Sequence, residues 1–212
     1  MDDHAAQLWL ANLDVSRETH DRLKRFVALL RDENDRQNLV SGSSLNNVLA
    51  RHIVDSAQLW LLAPKATSWL DLGSGAGLPG LILAILTDAR VTLVESRRLR
   101  ADWLKHAADL LGLGNVRVEA ARLEAVVAFP TAVITARAFA PLTKLLALAH
   151  RFSTEETLWI LPKGRSAAEE LASVATTWHG SFHMEPSVTD PDSAIIVARN
   201  VKPQSSTGGV RR

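Results

Sequence analysis

The segment Asp71-Leu72-Gly73-Ser74-Gly75-Ala76-Gly77 puts an acid and three alternating glycines between two apolar runs. Residues 66–70 ahead of it read as a short strand. Residues 78–86 after it are almost unbroken apolar sequence, with Pro79 in a helix-opening position. Strand, glycine turn and helix follow in that order. Glycine at every second position leaves no Cβ over the turn, so the backbone can approach a small ligand closely at a helix N-terminus. A dinucleotide fingerprint needs G-x-G-x-x-G, and the position of its third glycine is occupied by Leu78. An acid at the strand end also suits a positively charged group better than a pyrophosphate.

On either side of this turn the pattern changes character. Toward the N-terminus the chain reads as helices: residues 4–12, then a longer helix capped by Ser16 with Leu23, Phe26, Val27 and Leu30 at core-facing spacing. Residues 38–44 carry loop chemistry, and 45–62 read as helix. From Thr67 onward strands and helices alternate, the mark of a mostly parallel sheet. Strands are expected at 66–70, 91–95, 116–120, 132–136 and 157–161, with helices at 97–111, 141–150 and 166–178. The last two strands, 182–188 and 194–199, flank Asp190-Pro191-Asp192 and form an antiparallel edge hairpin. The expected organisation is an N-terminal helical cap over 1–65, a Rossmann-like α/β core over 66–202 with a seven-stranded sheet, and a disordered tail over 203–212.

Composition narrows the chemistry. The chain has 212 residues, 47% of them hydrophobic, enough for one full core, and 24 Lys plus Arg balance 23 Asp plus Glu. No basic arm runs along the sequence, so a surface for nucleic acid has to be assembled by folding. With no cysteine there is no thiolate zinc site and no cysteine nucleophile for pyrimidine C5 methylation. His179 and His183 have no further ligands beside them, so no metal is expected. No signal peptide or membrane span is legible, and a cytoplasmic protein is expected.

The acid with its glycines resembles the first motif of S-adenosylmethionine-dependent methyltransferases, a class I fold. This resemblance gives Asp71, Gly73, Ser74, Gly75, Gly77 and Leu78 as the donor turn, with Asp71 toward the methionyl ammonium. Glu95 ends the second strand where an acid can bridge two ribose hydroxyls. Leu123 and Glu124 follow the third strand, where their backbone can read an adenine edge. Arg137 stands at the end of the fourth strand and is suited to a carboxylate or phosphate. Lys163 and Arg165 stand after the fifth and are expected on the substrate side. Arg97, Arg98 and Arg100 crowd a helix N-terminus, which the helix dipole disfavours; RNA phosphate or plain solvent are the two explanations. The chain lacks tyrosine and the Asn-Pro-Pro-aromatic motif that grips planar amines. The easiest acceptor is therefore an atom that already presents a lone pair, such as guanine N7.

A closer resemblance rests on Arg51-His52-Ile53-Val54-Asp55-Ser56, on Asp71 to Gly80 ending in Gly-Leu-Pro-Gly, on Arg137-Ala138-Phe139-Ala140 and on Lys163-Gly164. In this order they closely resemble the bacterial 16S ribosomal RNA guanine-N7 methyltransferases, the glucose-inhibited division protein B family. The resemblance implies S-adenosylmethionine as donor and a guanine in the 530 loop of 16S rRNA as acceptor, presented as naked rRNA or as an assembling small subunit; a monomer is expected. It implies donor contacts for Gly73, Leu78, Leu123, Glu124 and Arg137, and RNA-side roles for His52, Asp55 and Lys163. Members usually carry Trp and Tyr where this chain has Glu33 and Gln37, and many carry Arg near Asp192. Two other readings stand beside it: a catalytically silent RNA or ribosome-assembly binding module of the same fold, and a small-molecule methyltransferase with the N-terminal helices as a lid.

Overall fold

The computed structural model describes residues 1–204. Its strands are β1 (Ser68–Leu72), β2 (Arg90–Val94), β3 (Val116–Glu119), β4 (Val133–Thr135), β5 (Leu158–Lys163), β6 (Trp178–Pro186) and β7 (Ala194–Pro203). They form one sheet in the order β3-β2-β1-β4-β5-β7-β6. The first five are parallel, and β7 runs antiparallel between β5 and β6. The expected seven-stranded Rossmann-like sheet with an antiparallel edge hairpin is what the chain builds. The order reverses between β1 and β4, so the loops leaving their carboxyl ends diverge and open a crevice there.

Side chains alternate across the sheet, as the two-residue period of a strand requires. Trp69, Val91, Leu93, Val133 and Ile160 face one side, while Leu70, Leu72, Val94, Ile134, Trp159 and Leu161 face the other. The first side is covered by the N-terminal helices α1 (Asp3–Ala11) and α2 (Arg17–Gln37) together with α5 (Gly80–Leu86) and α6 (Arg98–Leu110). The second is covered by α7 (Leu142–Ala149) and α8 (Ala167–Val174). Every residue of α5 is buried, because the helix is enclosed by the sheet on one side and by α2 on the other. Burying each of its leucines and isoleucines contributes roughly 1.5–3 kcal/mol.

In α2 the Ser16 side chain accepts the Thr19 N–H at 3.1 Å, as its N-cap role predicts. Leu23, Phe26 and Leu30 are buried, and one turn on, Asn34 Oδ1 accepts the Val40 N–H at 2.8 Å. That bond ties down the chain after Asn38, which ends the helix in the left-handed region at φ 49°.

Several boundaries differ from the sequence reading. β1 runs to Leu72, because Asp71 still pairs with Leu93 and Thr135, so the acid lies inside the sheet instead of on the turn. The helix expected over 45–62 is broken into α3 (Gly42–Leu45), capped by Ser41, a π-helical turn (Leu49–Val54) and α4 (Asp55–Leu61). Two Asp3 carboxylate oxygens, accepting the N–H groups of Leu49 at 3.3 Å and Ala50 at 2.9 Å, hold that turn from a distant part of the chain. Helix α8 ends at Val174 and β6 already begins at Trp178, which is drawn onto the sheet by burial of its ring. Pro203 pairs with Trp178 in the last strand, so order extends past residue 202. From residue 205 the expected disordered tail lies outside the described residues.

Candidate active site

The glycine turn is built as its spacing demands. Gly73, Gly75 and Gly77 have φ of 70°, 53° and 91°, a region costly for any residue with a Cβ. The N–H groups of Gly73 and Ser74 donate to Val94 O at 2.8 and 3.1 Å, and those of Gly77 and Leu78 donate to Ser74 O at 2.7 and 3.2 Å. The Gly75 N–H donates to Glu95 Oε2 at 2.9 Å, and the Gly80 N–H donates to Asp71 Oδ2 at 3.1 Å. The turn therefore does not offer a ring of free amides to an anion. The carbonyls of Gly73 and Gly75 accept no hydrogen bond among the described residues. Free carbonyls beside buried carboxylates form a surface for a cation, in keeping with the missing third glycine.

Asp71 takes a different place from the one its strand-end position implied. Its side chain is fully buried, Oδ2 bonds Gly80, and Oδ1 is enclosed without a partner. No part of the carboxylate is open to a ligand ammonium, so Asp71 acts by tying β1 to the start of α5. Burial pushes its carboxyl up to about 6, against the opposing effects of its hydrogen bonds and of the Arg137 charge. Gly80 is the counterpart of this arrangement: a Cβ there would stand 2.5 Å from Asp71 Oδ2 and 2.2 Å from Leu93 Cδ2. The final glycine of Gly-Leu-Pro-Gly is thereby explained.

Glu95 lies just past β2, almost fully buried, and pairs with no Lys or Arg among the described residues. Its oxygens accept Gly75 N–H and Arg97 N–H, the latter at 2.8 Å. Each oxygen keeps a second lone pair for a diol. Beyond β3, Leu123 and Glu124 open a short 3₁₀ turn (Leu123–Ala125) whose first two N–H groups find no acceptor among the described residues. Arg151 holds this turn from behind by donating to Leu123 O and to Val126 O. A diol acceptor and two unclaimed amides thus follow the turn along the carboxyl ends of β2 and β3.

On the other side of β1 lies a cleft of about 720 Å³, lined among others by Arg51, Asp55, Arg137, Phe139, Lys163 and Asp190. Arg137 Nη1 stands 3.5 Å from Asp55 Oδ2 and 3.4 Å from both Arg51 O and His52 Nδ1. The two motifs at 51–56 and 137–140 therefore meet in space. Asp55 Oδ1 accepts from Thr189 Oγ1 at 2.9 Å and from Gln58 at 3.1 Å, so the carboxylate is held by the edge hairpin as well. His52, for which a substrate-side role was expected, lies behind Arg137 and does not line the cleft: it is buried, and its Nε2 meets Ser44 Oγ at 3.0 Å. Burial, reinforced by the Arg137 charge, lowers the ring to about 4, so it is neutral at pH 7.

Lys163 lines the cleft but is not free. Its Nζ donates to Glu170 Oε2 at 2.8 Å and to Ala140 O at 3.3 Å. Burial pushes the Glu170 carboxyl up, but the bonds from Lys163, Leu142 N–H and Ser166 outweigh it and hold the group below its ordinary value. Arg165, also expected on the substrate side, is exposed and does not line the cleft; it pairs with Asp192 at 2.8 Å, and Arg51 reaches Asp190 of the same turn at 3.5 Å. Sequence reasoning treated Asp190 only as a turn residue, noted Asp192 as a turn residue near a departure from the resembled pattern, and gave Glu170 and Phe139 no role. Phe139 had a usable signal, since it lies inside one of the motifs. Asp190 and Asp192 had none, because their partners Arg51 and Arg165 are far away along the chain, and Glu170 looked like an ordinary helix acid although Lys163 stands only seven residues before it. Among the described residues no group of His, Asp and Glu is placed to hold a metal ion, and no helix is long and apolar enough to cross a membrane.

Comparison with known proteins agrees with this geometry. Among solved structures, an O-methyltransferase from Bacillus cereus in complex with SAH superposes with a TM-score of 0.63 at 16% identity, covering 92% of this chain and 97% of that one. A methyltransferase from Geobacter sulfurreducens gives 0.60 at 13% identity, covering 94% and 96%. Both share the fold. In sequence, the ribosomal RNA small subunit methyltransferase G of Rhizorhabdus wittichii is 50% identical over 216 residues, spanning 100% of this chain and 99% of its own length. That of Novosphingobium aromaticivorans is 53% identical, spanning 92% and 86%. The family model described as rRNA small subunit methyltransferase G matches residues 19–190. With the glycine turn, the cleft and its two converging motifs accounted for, the chain belongs to the rRNA small subunit methyltransferase G family.

Proposed function

We propose that this chain transfers a methyl group from S-adenosylmethionine to N7 of a guanine in the 530 loop of 16S ribosomal RNA. The observation that carries the reading is the adjacency of two unlike surfaces across β1. On one side is a glycine turn with free carbonyls, a buried diol-binding Glu95 and two open amides at 123–124. On the other is a cleft of about 720 Å³ with three basic side chains on its wall. The turn fits an adenosine-bearing cation, and the cleft fits a nucleobase with its phosphates. When bound, S-adenosylmethionine supplies a methyl carbon made electrophilic by its sulfonium.

The residues of the chain have little acid–base work to do. N7 of guanine already carries a lone pair, so the task is to hold it in line with the methyl carbon. Arg137, fixed by Asp55 and His52, stands at the junction of the two surfaces. Alkylation leaves the guanine ring positively charged, and the carboxylates of Asp55 and Asp190 on the cleft wall offset that charge. The enzyme acts as a monomer in the cytoplasm, on naked rRNA or on an assembling small subunit.

The test is methyl transfer from labelled donor to intact small subunits, naked 16S rRNA and small-molecule acceptors in parallel, with nucleoside mass spectrometry of the product. The expected result is label in 7-methylguanosine from RNA or particle. Label in RNA without 7-methylguanosine would overturn the acceptor atom, and label in small molecules alone would overturn the substrate class. Donor binding absent by calorimetry would point to the silent binding module.

A further inference from the structure

Among the described residues, Phe139 is the only aromatic lining the cleft. It is also in contact with the donor turn: a Cβ placed on Gly73 would lie 2.7 Å from its Cδ2, so the ring rests directly on the first glycine. The ring is half-buried, with one part packed against the core around β4 and β5 and another facing the cleft. The preceding residue, Ala138, is held at φ 52°, a region disfavoured for any residue with a Cβ. Such strain persists only where the surroundings over-determine it, and it is concentrated at working sites. Here the strained turn directs the neighbouring ring to the junction between glycine turn and cleft.

We propose that Phe139 is the platform against which the target guanine lies, its π-face setting the plane of the base so that N7 points at the glycine turn. This rests on the reading of the chain as a guanine methyltransferase. A base inside an RNA fold has to leave its neighbours to reach a methyl donor, and the lost stacking is replaced by an aromatic face in the protein. No tyrosine exists in the chain, and the fully buried Trp69 and Trp159 cannot serve. The cleft wall around the ring supplies the remaining contacts a nucleotide needs: Arg137 and Arg51 for phosphate, Asp55 for base N–H groups.

Phe139→Leu keeps an apolar side chain that packs against the core but has no π-face, and Phe139→Tyr restores the face. Methyl transfer, donor affinity by calorimetry without RNA, and thermal midpoint are measured for wild type and both variants. A 6-thioguanosine placed at the target position of the RNA substrate is then photo-crosslinked, and the attached peptide is identified by mass spectrometry. The expected result is a fall in kcat/KM for RNA of about tenfold or more in Phe139→Leu, near-wild-type values in Phe139→Tyr, donor affinity changed less than about twofold, and a crosslink at Phe139. Unchanged RNA kinetics in Phe139→Leu, or a loss explained by weaker donor binding, overturns the platform while leaving the methyltransferase reading intact. A crosslink mapped to another element does the same. Failure of the wild type to methylate RNA overturns both.

Discussion

Burial raises the Asp71 carboxyl to about 6 and lowers the His52 ring to about 4, and the two shifts act on stability in opposite senses. Folded Asp71 binds its proton at higher pH than the unfolded chain does, so acidification from about pH 6 toward the ordinary carboxylate value adds stability. His52 behaves the other way. The unfolded ring takes up a proton near its model value of 6.5 while the folded ring resists until about 4, so the stability it contributes is lost as pH falls through that window. Between about pH 4 and 6 the trends offset each other. Asp71→Asn, whose side-chain oxygen can still accept the Gly80 N–H, removes only the first. Its thermal midpoint, followed by circular dichroism from pH 7 to pH 4, is expected to fall more steeply than that of the wild type. Parallel curves for the two proteins would show that the Asp71 proton does not take part. The sequence marked both residues as functional, but neither burial was legible in it. Asp71 looked like a strand-end acid because pairing with Thr135 and Leu93 is invisible locally, and His52 is buried only because Ser44 and Arg137 close over it.

At the level of elements, the junction between β1 and α5 depends on Gly80. A Cβ there meets Leu93 at 2.2 Å and the Asp71 carboxylate at 2.5 Å, both inside the core. Gly80→Ala is expected to cost about 1–3 kcal/mol in chemical denaturation. Gly42→Ala, where a Cβ meets nothing within 4 Å, is expected to change stability by less than about 1 kcal/mol and serves as control. Equal midpoints for the two variants would refute the contact. Helix α6 carries the second element-scale expectation. Arg98 has only Asp102 at 3.9 Å, and Arg97 and Arg100 have no carboxylate partner among the described residues. Arg100 reaches over the glycine turn, its Nη1 3.7 Å from where a Gly75 Cβ would be. Unpaired positive charge at a helix N-terminus is unfavourable, and the phosphate of a bound RNA would relieve it. The double variant Arg97→Ala, Arg100→Ala is expected to weaken RNA binding and to lower the slope of log affinity against log salt by roughly 1 to 2. An unchanged slope in a salt titration would leave the arginines as a solvated face. Glu33 and Gln37 bond each other, and Gln37 also donates to Leu99 O at 3.1 Å, so this surface joins α2 to α6.

For the whole molecule, the N-terminal helices and the nucleotide-binding half of the sheet bury their side chains in one continuous cluster, in which Phe26 and Leu30 join Ile82, Leu93 and Ile160. The helical segment at 1–65 is therefore expected to unfold together with the core at 66–202, as one transition in scanning calorimetry with equal calorimetric and van't Hoff enthalpies. Two resolved transitions would show that the cap is an independent unit. The edge hairpin belongs to the same unit through Thr189, which donates to Asp55, and Val188, whose N–H donates to Gln58 at 2.9 Å. The sequence by itself determined the alternation of strands and helices, the glycine turn and the class of ligand it excludes. Those are consequences of local periodicity and of backbone freedom at single residues. Tertiary structure alone decided that most of the turn's amides are satisfied internally and that Asp71 faces inward. It also brought Arg137 to the segment 51–55 and put Phe139 over Gly73. Each of these depends on residues far apart in the chain meeting at the carboxyl ends of neighbouring strands, and no local pattern encodes which distant partner closes over a given side chain.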